Sequence, residues 1–226
     1  MKQLFRPFNR IMWLLVVIPL LFGVSAAPYT AQAATGDVHF PTLTFGSQGD
    51  YVWDLQYRLK TLDLYQGSLD GQFGTSTQQA VKAYQMRYGL QPDGVVGAQT
   101  WRSLTRFTMN LYEVDATAHL VYGEARGEPF QGQVAVAAVV LNRVQSNQFP
   151  NRVLPVIFEP LAFTAVSDGQ YHLKPDKEAY EAVFAAIKGW DPTGEALYYF
   201  NPDTATSAWI WSRTPTKRIG QHIFAL

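Results

Sequence analysis

The hydrophobic pattern changes character several times along the chain. Residues 1–10 are polar and basic, and Ile11 to Val24 is an apolar run interrupted only by Pro19 and Gly23. From Gly46, Val52, Leu55, Gln56, Leu59 and Leu62 recur at the spacing of one helix face. Val81, Tyr84, Gln85 and Tyr88 repeat that spacing. The first stretch leads into Leu69-Asp70-Gly71-Gln72-Phe73-Gly74 and then Thr77; the second leads into Pro92-Asp93-Gly94-Val95-Val96-Gly97 and then Thr100. A helix, Asp-Gly-x-x-Gly and a Thr three residues later therefore occurs twice. Glycine permits the positive φ of tight turns, and Thr at the next helix start can cap exposed amides. The pattern predicts a compact helical domain with an internal duplication.

Residues 106–114 read as a connector. Ala116, His119, Leu120 and Tyr122 then predict a helix ending around Gly123-Glu124-Ala125-Arg126-Gly127, since Gly127 is a natural stop and Pro129 cannot continue it. A second helix spans Gln131 to about Ser146. Its run Val134–Leu141 is apolar on every side, which marks a helix at the domain centre, closed by Asn142 and Arg143. Phe163–Gly169 reads as a loop. Lys177–Lys188 is a third helix with Tyr180, Val183, Phe184 and Ile187 on its apolar face, stopped by Gly189-Trp190-Asp191-Pro192. The tail alternates aromatics, through Leu197-Tyr198-Tyr199-Phe200-Asn201-Pro202, Trp209-Ile210-Trp211 and Ile219–Phe224, and predicts short strands or extended segments over a cleft. The fold class expected is mainly α with a small β element.

Composition narrows the function. Of 226 residues 47% are hydrophobic and only 16% charged, which is globular and not disordered. Aromatics are abundant at 14%; many must serve the core, and a surplus of Trp and Tyr also suits stacking on the apolar faces of sugar rings. There is no Cys, so disulfides, thiolate nucleophiles and Cys-based zinc sites are excluded. Lys2, Arg6 and Arg10 with the apolar run and Ala31-Gln32-Ala33 form an export signal, cleaved after Ala33, because the run is shorter than the roughly 20 residues that span a bilayer. Without those three, 15 basic residues face 18 acidic ones, a net charge of −3 that offers nucleic acid no attraction. Residues 34–45 read as a polar linker.

Glu124 is the candidate acid. The end of its helix brings negative potential and its neighbours remove water, and both disfavour an ionised carboxylate. A protonated carboxyl is what cleavage of a glycosidic bond requires. The competing reading is a structural pairing with Arg126 or Arg143. Glu128 ranks second, as a more exposed group at the start of a turn. Candidate substrate contacts are Tyr122 and Arg126 beside Glu124, Thr164, Ser167 and Asp168, and Tyr198, Asn201 and Trp209 in the tail. The four histidines, at 39, 119, 172 and 222, form no H-E-x-x-H pattern, and no G-x-S-x-G is present, so neither a metal, a cofactor nor a serine nucleophile is expected.

Residues 46–104 resemble the peptidoglycan-binding domain type 1 family, a three-helix module, through Gly46, Leu55-Gln56, Leu59, Asp70-Gly71, Phe73-Gly74, Thr77, Ala80-Val81, Gln85, Gly89-Leu90, Asp93-Gly94, Gly97 and Thr100-Trp101. Residues 115–226 resemble the catalytic domain of the spore cortex-lytic enzymes. The carriers are Tyr122–Glu128, Gly132–Val144, Phe163–Gly169, Leu197–Pro202 and Ile219–Phe224. The layout matches the longer of that family's two forms: signal 1–33, linker 34–45, binding domain 46–105, connector 106–114 and catalytic domain 115–226. The resemblance implies a lysozyme-like, lytic-transglycosylase-like fold with Glu124 at the catalytic position. It implies cleavage between N-acetylmuramic acid and N-acetylglucosamine in cortex peptidoglycan during germination, leaving a 1,6-anhydro end. It also implies location in the spore envelope and a membrane-anchored companion protein; the chain is expected to be a monomer. The family has a Gln before Phe163 where this chain has Leu161-Ala162, so one subsite is expected to differ. A hydrolytic muramidase with Asp168 assisting water, and a non-catalytic wall-binding protein, remain alternatives.

Overall fold

The computed structural model describes residues 40–226, so the expected export signal and residues 34–39 of the linker lie outside the described residues. The first three helices are α1 (Asp50–Thr61), α2 (Thr75–Arg87) and α3 (Ala98–Phe107). The duplication is a duplicated hydrogen-bond unit. Buried Gln56 accepts from the Gly71 N–H (3.0 Å) and donates to Asp70 Oδ1 (2.8 Å), Gln72 O (3.0 Å) and Thr77 Oγ1 (3.2 Å). Buried Gln85 accepts from the Gly94 N–H (2.9 Å) and donates to Asp93 Oδ1 (2.8 Å), Val95 O (3.0 Å) and Thr100 Oγ1 (3.2 Å). A buried amide must be satisfied, and each Asp-Gly turn satisfies one. Gly71 (φ 67°) and Gly94 (φ 75°) take the positive φ this requires.

Thr77 and Thr100 do not cap their helices: Gly74 and Gly97 hold the cap positions, and each Thr lies third in its helix, buried against the Gln amide. Residues 40–45 are not a free linker. Phe40 stacks on Trp101 at 4.6 Å, Trp101 Nε1 donates to Pro41 O (2.8 Å), and buried Leu43 bridges Val96.

The second half contains α4 (Leu111–Ala125), α5 (Phe130–Gln145), α6 (Val153–Ile157), α7 (Thr164–Asp168), a 3-10 turn at Gln170–His172, and α8 (Lys177–Ile187). It ends in β1 (Tyr198–Phe200), α9 (Ala208–Trp211), β2 (Pro215–Ile219) and β3 (His222–Ala225). The connector is shorter than expected, with only Thr108–Asn110 between α3 and α4. Asn110 and Glu113 form a capping box, which satisfies free amides at the start of α4 and fixes its first turn there. The segment expected as a loop holds the short helix α7, flanked by Phe163 and Gly169, and Trp209–Trp211 falls in α9, not in a strand or extended segment.

As the uniform apolarity predicts, α5 is central: every residue from Gly132 to Leu141 is buried. It packs on α4, α6 and α8. The antiparallel sheet, in order β1-β3-β2, lies against it through Ala135, Val139, Ala196, Ile219 and Phe224. Burying each Val side chain of α5 contributes roughly 1.5–3 kcal/mol. Arg58 of α1, 1% exposed, joins the two halves of the chain. It donates to Thr108 O and Oγ1 (3.1 Å each) and pairs with Asp54 (3.1 Å) and Glu113 (3.3 Å).

Candidate active site

Glu124 is the penultimate residue of α4, and each of its oxygens has one donor. Oε1 accepts the Ala165 N–H at 2.6 Å, and Oε2 accepts the Tyr199 hydroxyl at 2.9 Å. Ala165 lies in the first turn of α7, where amides have no partner within the helix, so this N–H is free to point at the carboxyl. Gly123 makes the approach possible. A Cβ there would stand 2.7 Å from the Ala165 Cβ and 3.3 Å from the Gln170 backbone, so only glycine lets α7 come this close. Gly169, at φ 85°, ends α7 in the left-handed conformation.

Tyr199 reaches Glu124 from the middle of β1. Burial pushes its phenol well above the ordinary tyrosine value, and the adjacent Glu124 carboxylate adds to the rise. The hydroxyl therefore keeps its proton. Because a hydroxyl both donates and accepts, it can serve Glu124 in either protonation state. Around the carboxyl lies a cleft of about 460 Å³. Gly123, Glu124, Thr164, Ala165 and Gln170 line one part, and Tyr199 to Asn201, Thr204 to Ser207, Ile210 and His222 line the rest. Among the described residues lining it, Glu124 is the only carboxylate. Such a carboxyl can hand a proton to a leaving oxygen and take one back.

Of the candidate contacts, Thr164 and Asn201 line the cleft with Glu124. The others do not. Tyr122 and Arg126 pack on one another, with the guanidinium 6.0 Å from the ring centre, and Ser167 donates back to Phe163 O (3.3 Å). Asp168 turns to Gln170, accepting its N–H (3.0 Å) and its amide (2.6 Å); the backbone bond, then the amide, holds its carboxyl below the usual value. It thus positions a cleft residue without lining the cleft. Tyr198 and Trp209 meet edge to face at 5.2 Å, and the Arg213 guanidinium lies 5.3 and 4.3 Å from their ring centres. Strand alternation explains the difference: neighbours on β1 face opposite ways, so Tyr199 reaches Glu124 and Tyr198 does not.

The structural pairing with arginine is not formed. Arg126 donates to Gly123 O (3.5 Å), while buried Arg143 donates to Leu197 O (2.8 Å) and lies 4.7–5.7 Å from the rings of Phe163, Phe149 and Tyr198. Desolvation lowers the Arg143 value, partly offset by nearby tyrosines and carboxylates. Glu128 is also not the exposed group expected: its side chain is 6% exposed, against His222. Tyr199, Gln170, His222 and the Ala165 N–H are groups at the cleft that the sequence does not single out; the aromatic tail and the family-like segments Leu197–Pro202 and Ile219–Phe224 point only to the stretches that hold Tyr199 and His222.

Residues 48–104 match the family model described as Putative peptidoglycan binding domain, and residues 127–225 match Cell Wall Hydrolase. The spore cortex-lytic enzyme of Bacillus cereus is 47% identical, the alignment covering 79% of this chain and 84% of that protein. That of Bacillus subtilis is 38% identical, covering 79% and 87%. A solved structure, the catalytic domain of the germination-specific lytic transglycosylase SleB from Bacillus anthracis, is 63% identical with a TM-score of 0.50, covering 52% of this chain and 97% of its own. With 38–47% identity to these relatives over 79% of its length, this protein belongs to the family of spore cortex-lytic enzymes.

Proposed function

We propose that this chain degrades spore cortex peptidoglycan in germination as a lytic transglycosylase, with Glu124 as its single acid and base. The observation that carries the reading is one carboxyl in the cleft, held by the Ala165 N–H and the Tyr199 hydroxyl. Hydrolytic glycosidases commonly use a second carboxylate about 5–9.5 Å away, either as nucleophile or to activate water. A transglycosylase needs none. Glu124 gives its proton to the glycosidic oxygen as the bond from the muramic C1 to that oxygen breaks. The sugar's own 6-hydroxyl oxygen then bonds to C1 and returns its proton to Glu124, so no water is consumed and a 1,6-anhydro end results. Thr164 and Asn201 are among the polar residues that line the cleft and would hold the glycan there.

The first domain supplies attachment to the wall, and residues 1–33 direct export to the spore envelope. That reading rests on the basic start, the apolar run and Ala31-Gln32-Ala33. A monomeric state and a membrane-anchored companion complete the proposal, on the family resemblance alone. The test is to incubate the chain and its Glu124→Gln variant with cortex peptidoglycan and identify released fragments by mass spectrometry. Anhydro-muramic ends are expected from the unaltered chain, with a loss of about 10²–10⁴-fold in the variant. Reducing muramic ends would replace transglycosylation with hydrolysis, and full activity in the variant would remove Glu124 from the mechanism.

A further inference from the structure

A second ionisable pair adjoins the cleft, and the mechanism above does not use it. Glu128 follows α4, and its carboxyl lies under the β2–β3 hairpin. The hairpin turn is two residues, Gly220-Gln221, and it closes directly over that carboxyl. Gln221 donates its N–H to Glu128 Oε2 at 3.1 Å. Gly220, at φ 56°, has no room for a side chain, because a Cβ would fall on the Glu128 carboxyl. His222, the next residue, puts Nδ1 3.6 Å from Glu128 Oε1, with the two side chains 14% and 6% exposed. Its ring stands edge-on to Tyr199 at 5.3 Å, and it lines the cleft with Glu124.

The imidazole turns Nδ1 towards the buried Glu128 carboxylate, which favours an N–H on that nitrogen by charge attraction at 3.6 Å. This arrangement leaves Nε2 as the polar atom on the far side of the ring. Orienting an imidazole through one nitrogen so that the other can work is a recurrent use of a carboxylate–histidine pair. We infer that His222, fixed by Glu128 and the Gly220-Gln221 turn, contacts the substrate and hydrogen-bonds through Nε2 to a hydroxyl of the bound amino sugar. A hydroxyl partner can answer Nε2 whether that nitrogen donates or accepts. Glu128 touches no substrate and is a positioning residue, acting through His222. The inference rests on the glycan-cleaving reading of the cleft.

The experiment measures kcat and KM separately on soluble cortex glycan strands, using the full chain and His222→Ala, His222→Gln, Glu128→Gln and the Glu128→Gln/His222→Ala double variant. Thermal melts of each correct the rates for folded enzyme. His222→Ala is expected to raise KM about tenfold, the worth of one hydrogen bond, with anhydro product unchanged. His222→Gln, which keeps an amide in reach, should recover part of the loss. Glu128→Gln should weaken the same parameter, and the double variant should be no worse than His222→Ala. A merely structural pair would lower the melting temperature and leave KM per folded molecule unaltered in all four variants, which overturns the inference. So would additive defects of Glu128→Gln and His222→Ala. If the unaltered chain releases no glycan fragments, the parent reading fails and takes this one with it; normal cleavage with normal KM in His222→Ala removes this one alone.

Discussion

Replacing Gly123 by Ala should impair catalysis without touching any ionisable group. The added Cβ would lie 2.7 Å from the Ala165 Cβ. Carbon atoms in favourable contact stand about 3.5–4.0 Å apart, so α7 must retreat from α4 by about 1 Å. The Ala165 N–H to Glu124 Oε1 bond, now 2.6 Å, then stretches to about 3.6 Å, where it no longer counts as a hydrogen bond. Losing one bond to a charged acceptor costs about 1.5–3 kcal/mol, or roughly 10–150-fold in kcat if the bond holds the acid in its working position. Overpacking should lower stability by about 1–3 kcal/mol as well. The assay is anhydro-fragment release per folded enzyme, with Gly127→Ala beside it. Gly127 lies four residues on and is not at positive φ, and a Cβ added to it would meet nothing within 4 Å, so its variant should retain activity. Unchanged kcat in Gly123→Ala, or an equal loss in Gly127→Ala, would refute the argument that α7's close approach arms Glu124.

Three other outcomes are expected. Tyr199→Phe keeps the ring packing on Phe224 and removes the hydroxyl from Glu124, so kcat should fall roughly 10–150-fold with little change in melting temperature; full activity would show that the phenol is dispensable. Arg58→Met leaves Glu113, Asp54 and Thr108 O without their shared donor, a loss of about 3–5 kcal/mol that calorimetry should register as a drop of about 6–20 °C; an unchanged melting temperature would contradict this. Asp70 and Asp93 have folded values below their unfolded ones, the first chiefly through the Gln56 amide and the second through the Val95 N–H. Their contribution is therefore present above about pH 4 and is lost as the pH falls through the folded value. Asp70→Asn keeps an acceptor but cannot ionise, so its melting temperature should approach that of the unaltered chain between pH 5 and about pH 2; a gap that stays constant would exclude the charge.

The helices of the first domain, the buried α5 and the place of Glu124 at the end of α4 are legible in the sequence. Periodicity, uniform apolarity and the Gly-Pro stop are local properties, recorded in consecutive residues. The Asp-Gly repeat is legible too, although its purpose is not. Thr77 and Thr100 look like caps because their role, closing the shell of a buried Gln amide, depends on a helix residue more than a dozen positions earlier.

The substrate contacts are less legible, for a related reason. Glu124, Thr164 and Asn201 stand out in the sequence and do meet at the cleft, but the pattern favours Tyr198 over Tyr199 and makes Glu128 a surface group. Two adjacent tyrosines are equivalent in sequence, and only the pairing of β1 with β3, and of that sheet with α5, decides which one faces the acid. The sequence alone determined the longer helices and which residue types could do the chemistry, because those follow from backbone propensity and side-chain identity, whereas the short helices α6, α7 and α9 were not legible in it. The tertiary structure decided which groups converge, since Ala165, Tyr199 and His222 lie 41, 75 and 98 positions from Glu124 and are joined to its surroundings only by the packing of α7 and the sheet.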